Sequence, residues 1–151
     1  MYFPKYSVPV LVCIIVLASL YYGVFNHIND APQSLHMWRQ SDCLSMTMNY
    51  YQYHYSLLEP HINNLGIDGT GKTCSEFPLL YYCIAKIWQY TGIHMFIYRG
   101  LVLVMFCIGL AYITKTLEML LPNSVIAISI AVLLFSSPTL VYYAHTVLCD
   151  I

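Results

Sequence analysis

Three carboxylates, Asp42, Glu76 and Asp150, are the residues of this chain best suited to do chemistry. Only 9% of the residues are charged and 59% are apolar, and each of these acids stands beside an apolar segment. An acid at a membrane boundary is costly unless it is solvated or paired, so it commonly marks a functional site. A positioned carboxylate can accept the proton of an attacking hydroxyl. The three acids are therefore candidates for acid–base catalysis.

Four apolar segments must position these acids, at residues 6–26, 77–91, 98–118 and 123–144. A helix of about 20 apolar residues crosses a bilayer. The first, third and fourth segments are therefore predicted to be transmembrane helices. A tight turn is predicted at 122–124 between the last two, because it contains Pro-Asn-Ser.

The second apolar segment, 77–91, is shorter than the other three. As a helix it would be roughly 21 Å long, less than the ~30 Å hydrocarbon core. It carries a polar stripe at helical spacing, formed by Tyr82, Lys86 and Gln89. Ser75 is a candidate cap at its start and Gly92 is suited to end it. The segment is predicted to be an amphipathic helix at the membrane interface.

Three spans and a cytoplasmic N-terminus place residues 27–97 in one large external loop. Asp150 then emerges on the same external side as Asp42 and Glu76. If 77–91 crossed the membrane, Asp150 would be cytoplasmic and the three acids would share no site. The expected fold class is an all-α membrane protein with three transmembrane helices and interfacial amphipathic helices in the external loop.

A further helix is predicted inside the loop, from Ser41 as its N-cap to about Tyr55. Its apolar stripe, Leu44, Met48, Tyr51 and Tyr55, is typical of packing against a membrane or other helices. Asp42 would then lie in the first turn, where the helix dipole favours the anion.

Nucleotide and nucleic-acid binding are both disfavoured by the sequence. A formal net charge of −1 gives no basic field for nucleic acid. Residues 66–73 match the pattern of a phosphate-binding loop, G-x-x-x-x-G-K-[ST]. That loop works only between a buried strand and a helix N-terminus. The residues before 66 do not predict a strand, and Pro78 soon follows, so a flexible glycine-rich loop is the better interpretation.

Simpler explanations remain open for several of these residues. Arg39 and Asp42 have the i, i+3 spacing of a surface ion pair of small energetic worth. Glu76 could serve only as an acid at a helix N-terminus. Cys43 and Cys74 fall in one loop, but nothing in their spacing demands a disulfide. Four scattered histidines give weak support for a metal site: His36, His54, His61 and His145.

The order of these motifs resembles the GT-C superfamily of membrane glycosyltransferases, above all its protein O-mannosyltransferase and lipid A aminoarabinose transferase branch. The matching pattern is Trp38-x-x-x-Asp42, a long external loop, Glu76-Phe-Pro-Leu79, Arg99 opening a span, and Ser137-Pro-Thr-Leu-Val-Tyr-Tyr143 followed by Asp150. The resemblance implies inverting sugar transfer from a polyprenyl-phosphate-linked donor to a hydroxyl acceptor on the external membrane face.

The resemblance also assigns roles to residues. Asp42 and Asp150 match the family's catalytic acids, and Glu76 is similar to an acid that shapes the site and contacts a divalent metal in some members. The negative charge left on the lipid phosphate calls for a cation. The candidates are Arg39, Lys72 and Arg99.

The implied setting is the bacterial inner (plasma) membrane, with lipids and the lipid-linked donor as partners. Family members carry many more spans, so the chain is expected to be the N-terminal part of such an enzyme, truncated and without assured activity. The alternative is a non-catalytic small multi-span membrane protein that acts through helix–helix interactions.

Overall fold

A computed structural model describes residues 6–33, 36–73 and 77–147 of the chain. In chain order its helices are α1 (Ser7–Tyr21), a short 3-10 helix (Val24–His27), α2 (Met37–Tyr53), α3 (Leu79–Thr91), α4 (Met95–Leu120), α5 (Ser124–Phe135) and α6 (Pro138–Ala144). Across these three ranges there is no β-strand, and an isolated antiparallel bridge pairs His61 with Lys72. The predicted all-helical class is confirmed.

One helix, α4, is long and apolar enough to cross a membrane. Its 26 residues span about 39 Å, more than the ~30 Å hydrocarbon core. This helix contains the predicted segment 98–118. By length and composition it is weak evidence for a membrane protein, and the prediction of three spans stays a prediction.

The other two predicted spans are shorter or bent. In place of one helix over 6–26, α1 has 15 residues, about 22 Å. Gly23 lies between α1 and the 3-10 helix with φ 68°, as the N-cap residue of the 3-10 helix. The segment 123–144 forms α5 and α6, which meet at 75°. Pro138 causes this break, because proline lacks an N–H and disfavours helical geometry in the residue before it.

The predicted turn between the third and fourth apolar segments is confirmed. α4 ends at Leu120 and α5 begins at Ser124. Asn123 caps α5, because its Oδ1 accepts a hydrogen bond of 2.8 Å from the backbone N–H of Val125.

The described residues form two compact units. The first unit contains 6–28 and 100–145, and the second contains 29–99 with Thr146 and Val147. The first unit has an apolar core of Leu11, Ile15, Val24, Leu110, Ala131, Phe135 and Val141. One polar cluster lies within this unit, where Lys115 Nζ donates to Ser7 Oγ at 2.8 Å and to Glu118 Oε2 at 2.9 Å. The cluster joins the start of α1 to the last turns of α4.

The second unit is built on the packing of α2 against α3. Its buried apolar side chains are Cys43, Met46, Tyr50, Tyr81, Ile84, Ala85, Trp88, Tyr98 and Val147. The rings of Tyr50 and Tyr82 meet edge to face at 5.4 Å, as do those of Tyr51 and Trp88 at 6.4 Å. Such pairs contribute about 0.5–1.5 kcal/mol beyond area burial.

α3 ends at Gly92 as predicted, with Gly92 at φ 85° and its N–H bonded to the carbonyl of Trp88. The predicted polar stripe of α3 is half-buried, since Gln89 Nε2 lies 2.7 Å from His54 Nδ1 and Lys86 lies over the Tyr82 ring. Most of the exposed side chains between 77 and 96 are apolar instead, and the polar exceptions are Thr91 and His94. The exposed apolar side chains are Phe77, Leu79, Cys83, Tyr90, Ile93 and Phe96.

Candidate functional site

Asp42 lies in the second unit, on α2, and its side chain is half-buried. The helix begins at Met37, four residues before the predicted N-cap Ser41, with His36 in a left-handed conformation at φ 55°. Asp42 is therefore the sixth helical residue, and the expectation that the helix dipole acts on it in the first turn is wrong. The early start is supported by the buried side chain of Gln40, whose Nε2 donates to the carbonyl of Gln33 at 3.3 Å.

Arg39 does not pair with Asp42. The ion pairs within the described ranges are Lys72–Glu59 and Lys115–Glu118. The simple surface pair considered from the i, i+3 spacing is thus not formed, and the Asp42 carboxylate is not neutralised by its neighbour on the helix.

The other two acids, Glu76 and Asp150, lie outside the described residues, as do Cys74 and Ser75. The described residues that precede each acid in the chain, Thr73 before Glu76 and Val147 before Asp150, belong to the second unit. Thr73 is bonded through its N–H to the carbonyl of Pro60, and Val147 is fully buried. Asp150 follows Val147 by three residues, a reach of about 10 Å at most.

The three candidate cations differ in how their side chains are placed. Arg39, on α2, is half-buried. Arg99 is buried, and its Nη2 donates to the backbone carbonyls of Asp30 at 2.9 Å and Ala31 at 3.3 Å. Its guanidinium therefore holds the 30–31 segment against the start of α4. Lys72 is exposed, with its Nζ 3.7 Å from Glu59 Oε1. A phosphate could reach Lys72 more readily than Arg99.

The glycine-rich segment is a loop, as predicted, and backbone hydrogen bonds close it. Backbone hydrogen bonds tie Ile62 to Gly71, Gly71 to Leu65 and Thr73 to Pro60 at 2.9–3.1 Å. A phosphate-binding loop instead links a strand to a helix N-terminus. The loop here folds back on itself and is joined by the His61–Lys72 bridge.

Two buried polar residues, Asn49 and His61, hold the base of this loop. Asn49 Nδ2 donates to the carbonyl of His61 at 3.0 Å and to Asn63 Oδ1 at 3.1 Å. His61 Nδ1 lies 3.0 Å from the carbonyl of Thr70, so Nδ1 carries the proton in this bond. The His61 ring also stacks on Tyr55 at 4.0 Å. Sequence reasoning missed this anchor, because its hydrogen bonds join residues 9 to 14 positions apart and follow no known sequence motif.

We expect Gly71→Ala to destabilise the second unit more than Gly69→Ala does. Both glycines have φ near 70°, so both substitutions carry the same backbone strain, about 1–2 kcal/mol. A Cβ on Gly71 would lie 2.5 Å from the carbonyl oxygen of Ile62, whereas one on Gly69 meets nothing within 4 Å. The midpoints of chemical unfolding of the two variants measure the difference in stability. Equal midpoints would show that the backbone at Gly71 does not approach the Ile62 carbonyl as closely as the structure indicates.

We expect alkaline pH to weaken the packing of Tyr50. Burial, together with the nearby Tyr82, raises the pKa of Tyr50 to about 12 from 10.0. Because the folded state favours the neutral phenol, this stability is present below pH 10 and is lost as the pH rises toward 12. The free energy of unfolding is measured as a function of pH. In Tyr50→Phe the loss of stability between pH 10 and 12 that arises from Tyr50 should disappear. In Tyr53→Phe, a substitution at an exposed tyrosine, the same loss should remain.

The same residues bear on the metal and disulfide sites that the sequence left open. Within the described part of the chain, no three His, Cys, Asp or Glu side chains are grouped to hold a metal ion. The side chain of Cys43 is buried, and its Sγ lies 3.2 Å from the Tyr81 hydroxyl. Cys74, with which a disulfide was left open, and Glu76, with its implied metal contact, lie outside the described residues.

These features define an α-helical chain with one apolar helix long enough to cross a membrane and a second unit that presents Asp42. No protein-family model, curated protein or solved structure matches the chain.

Proposed function

We propose that this chain belongs to a membrane glycosyltransferase that moves a sugar from a polyprenyl-phosphate-linked donor to a hydroxyl acceptor on the external membrane face. The observation that carries the proposal is the composition of the second unit. It contains Asp42 and Lys72, and it also contains Thr146 and Val147, which directly precede Asp150 in the chain. The acids named by sequence reasoning thus fall in or next to one unit.

The proposed reaction needs a base and a cation. The acceptor oxygen attacks the anomeric carbon, the bond from that carbon to the phosphate oxygen breaks, and the sugar is transferred with inversion. Asp42 or Asp150 takes the acceptor proton. The polyprenyl phosphate leaves with an added negative charge, which Lys72 or Arg39 stabilises. Glu76 shapes the site, and Arg99 holds the 30–31 segment in place.

The proposed membrane arrangement has three crossings, through α1, α4 and the bent pair α5–α6, in the bacterial inner membrane. Residues 27–97 are external in this arrangement. α3 lies at the interface, and its exposed apolar side chains Leu79, Cys83 and Tyr90 support this position. Chain continuity supports it too, because three residues separate the end of α3 from the start of the apolar helix α4.

The test is transfer of labelled sugar from a polyprenyl-phosphate donor by membranes that contain the protein. The gene is expressed with whatever coding sequence follows codon 151 in its natural context. Transfer that depends on Asp42 supports the proposal, and absence of transfer to any hydroxyl acceptor counts against it.

A second candidate function is a non-catalytic membrane protein that binds other helices. The exposed apolar side chains of α4, including Val104, Met105, Ile108 and Tyr112, favour it. Lipid contact accounts for the same exposure. The two functions differ in whether replacement of Asp42 changes any measured activity.

A further inference from the structure

The closed loop of residues 58–73 exposes three large aliphatic side chains. Leu58 and Leu65 are more than half exposed, and Ile67 is 110% exposed, as free as in an extended peptide. Single exposed aliphatic residues are ordinary. Three within ten residues are a feature that the proposed sugar transfer leaves unexplained.

The loop holds Ile67 on a preorganised backbone. Gly66, Gly69 and Gly71 all have positive φ, and the backbone bonds between 60 and 73 close the base of the loop. Asp68 Oδ2 accepts a hydrogen bond of 2.7 Å from the Thr70 hydroxyl, so this carboxylate is tied back into the loop. A preorganised segment loses little entropy on binding, which makes a small apolar contact effective.

We propose that the 58–73 loop inserts Ile67 into the lipid surface of the membrane. The occupant is inferred from the chain itself, because the second unit runs directly into the membrane-spanning candidate α4 at Met95. A lipid surface therefore lies at the edge of this unit. Apolar side chains that lie at a membrane interface enter about 5–10 Å.

The insertion gives the glycine-rich loop a function within the proposed reaction. With Ile67 among the upper acyl chains, Lys72 on the same loop lies at the depth of the lipid phosphates. The phosphate of a lipid-linked donor occupies that depth. This step rests on the proposed function, whereas the insertion itself needs only that α4 is in the membrane.

The experiment places an environment-sensitive fluorophore (NBD) at three single cysteines in a variant whose six native cysteines are replaced by alanine. The positions are Ile67→Cys, Ile108→Cys on the exposed face of α4, and Gln52→Cys on the exposed side of α2. The full chain is reconstituted in phosphatidylcholine vesicles without nitroxide lipid, with lipid that carries a nitroxide near the top of the acyl chain, and with lipid that carries it near the end of the acyl chain. Circular dichroism checks that each variant retains its helices.

We expect the lipid with the nitroxide near the top of the acyl chain to quench the fluorophore at position 67 strongly and that at position 52 weakly. Quenching at 108 without quenching at 67 overturns the insertion and leaves the membrane placement and sugar transfer standing. Equal quenching at positions 67 and 52 also overturns the insertion, because the loop would then lie no deeper in the membrane than the exposed side of α2. No quenching at position 108 by either nitroxide lipid would mean that α4 does not lie in the membrane, and the insertion and the proposed function would fail together.

Discussion

Asp42→Asn is expected to lower the rate of sugar transfer by about 100- to 10,000-fold, the usual contribution of a positioned general base. The amide keeps the size of the side chain but cannot take the acceptor proton. Asp42 is half-buried on a regular stretch of α2 and forms none of the described ion pairs, so the substitution removes no structural contact seen there. Transfer is measured as initial rates at saturating donor and at several acceptor concentrations.

The matched control is Asp68→Asn in the same unit. Asp68 is a fully exposed acid whose Thr70 hydrogen bonds lower its pKa. Asparagine can still accept the Thr70 N–H through its Oδ1, and its Nδ2 can donate to the Thr70 hydroxyl oxygen in place of the bond that Oδ2 accepts. This variant should retain the wild-type rate. If both variants lose activity to the same degree, or if Asp42→Asn loses none, Asp42 is not the base.

Local sequence rules predicted the parts of this fold that depend on near neighbours. The long apolar run gave α4, Gly92 ended α3 and the 122–124 turn separated α4 from α5. The same rules missed the break at Gly23 and the bend at Pro138. The spans were predicted from the average apolarity of long segments, and that average hides single residues that interrupt a helix. In both cases the interrupting residue was visible in the sequence.

The start of α2 depends on more distant contacts. Ser41 is a good cap by residue type, yet the helix extends back to Met37, and the buried side chain of Gln40 bonds to Gln33, seven residues away. A capping preference is worth about 1 kcal/mol. Such a preference is easily outweighed by the burial and hydrogen bonds of the preceding turn.

The candidate site was predictable in its residue types and not in its geometry. The acids and cations could be named from spacing and resemblance alone. The structural role of Arg99 could not be predicted, because its guanidinium binds backbone carbonyls 68 and 69 residues away in the sequence. The anchoring of the 58–73 loop by Asn49 and His61 likewise arises from contacts that no local pattern encodes.

The largest effect on stability is expected at the polar cluster of the first unit. Glu118 is buried, with its side chain 1% exposed, and it receives a hydrogen bond from Lys115. Its second oxygen, Oε1, has no hydrogen-bond partner among the described residues. Lys115→Met would leave this carboxylate buried without its cation, at a cost of about 3 kcal/mol, the lower end of the usual range because Lys115 is 39% exposed.

Glu118→Gln should cost less, about 0.5–1.5 kcal/mol, since its amide oxygen still accepts from Lys115 and no charge is stranded. The double variant Lys115→Met with Glu118→Leu should be more stable than Lys115→Met alone, because an apolar pair of similar size replaces a buried ion pair at little cost. Unfolding in detergent micelles, followed by circular dichroism against added dodecyl sulfate, ranks the three variants. Two outcomes would contradict this: Lys115→Met destabilises no more than Glu118→Gln, or the double variant is the least stable of the three. Either result would mean that the Glu118 carboxylate is solvated in the folded chain. The cluster would then be a surface ion pair with little influence on how α1 packs against α4.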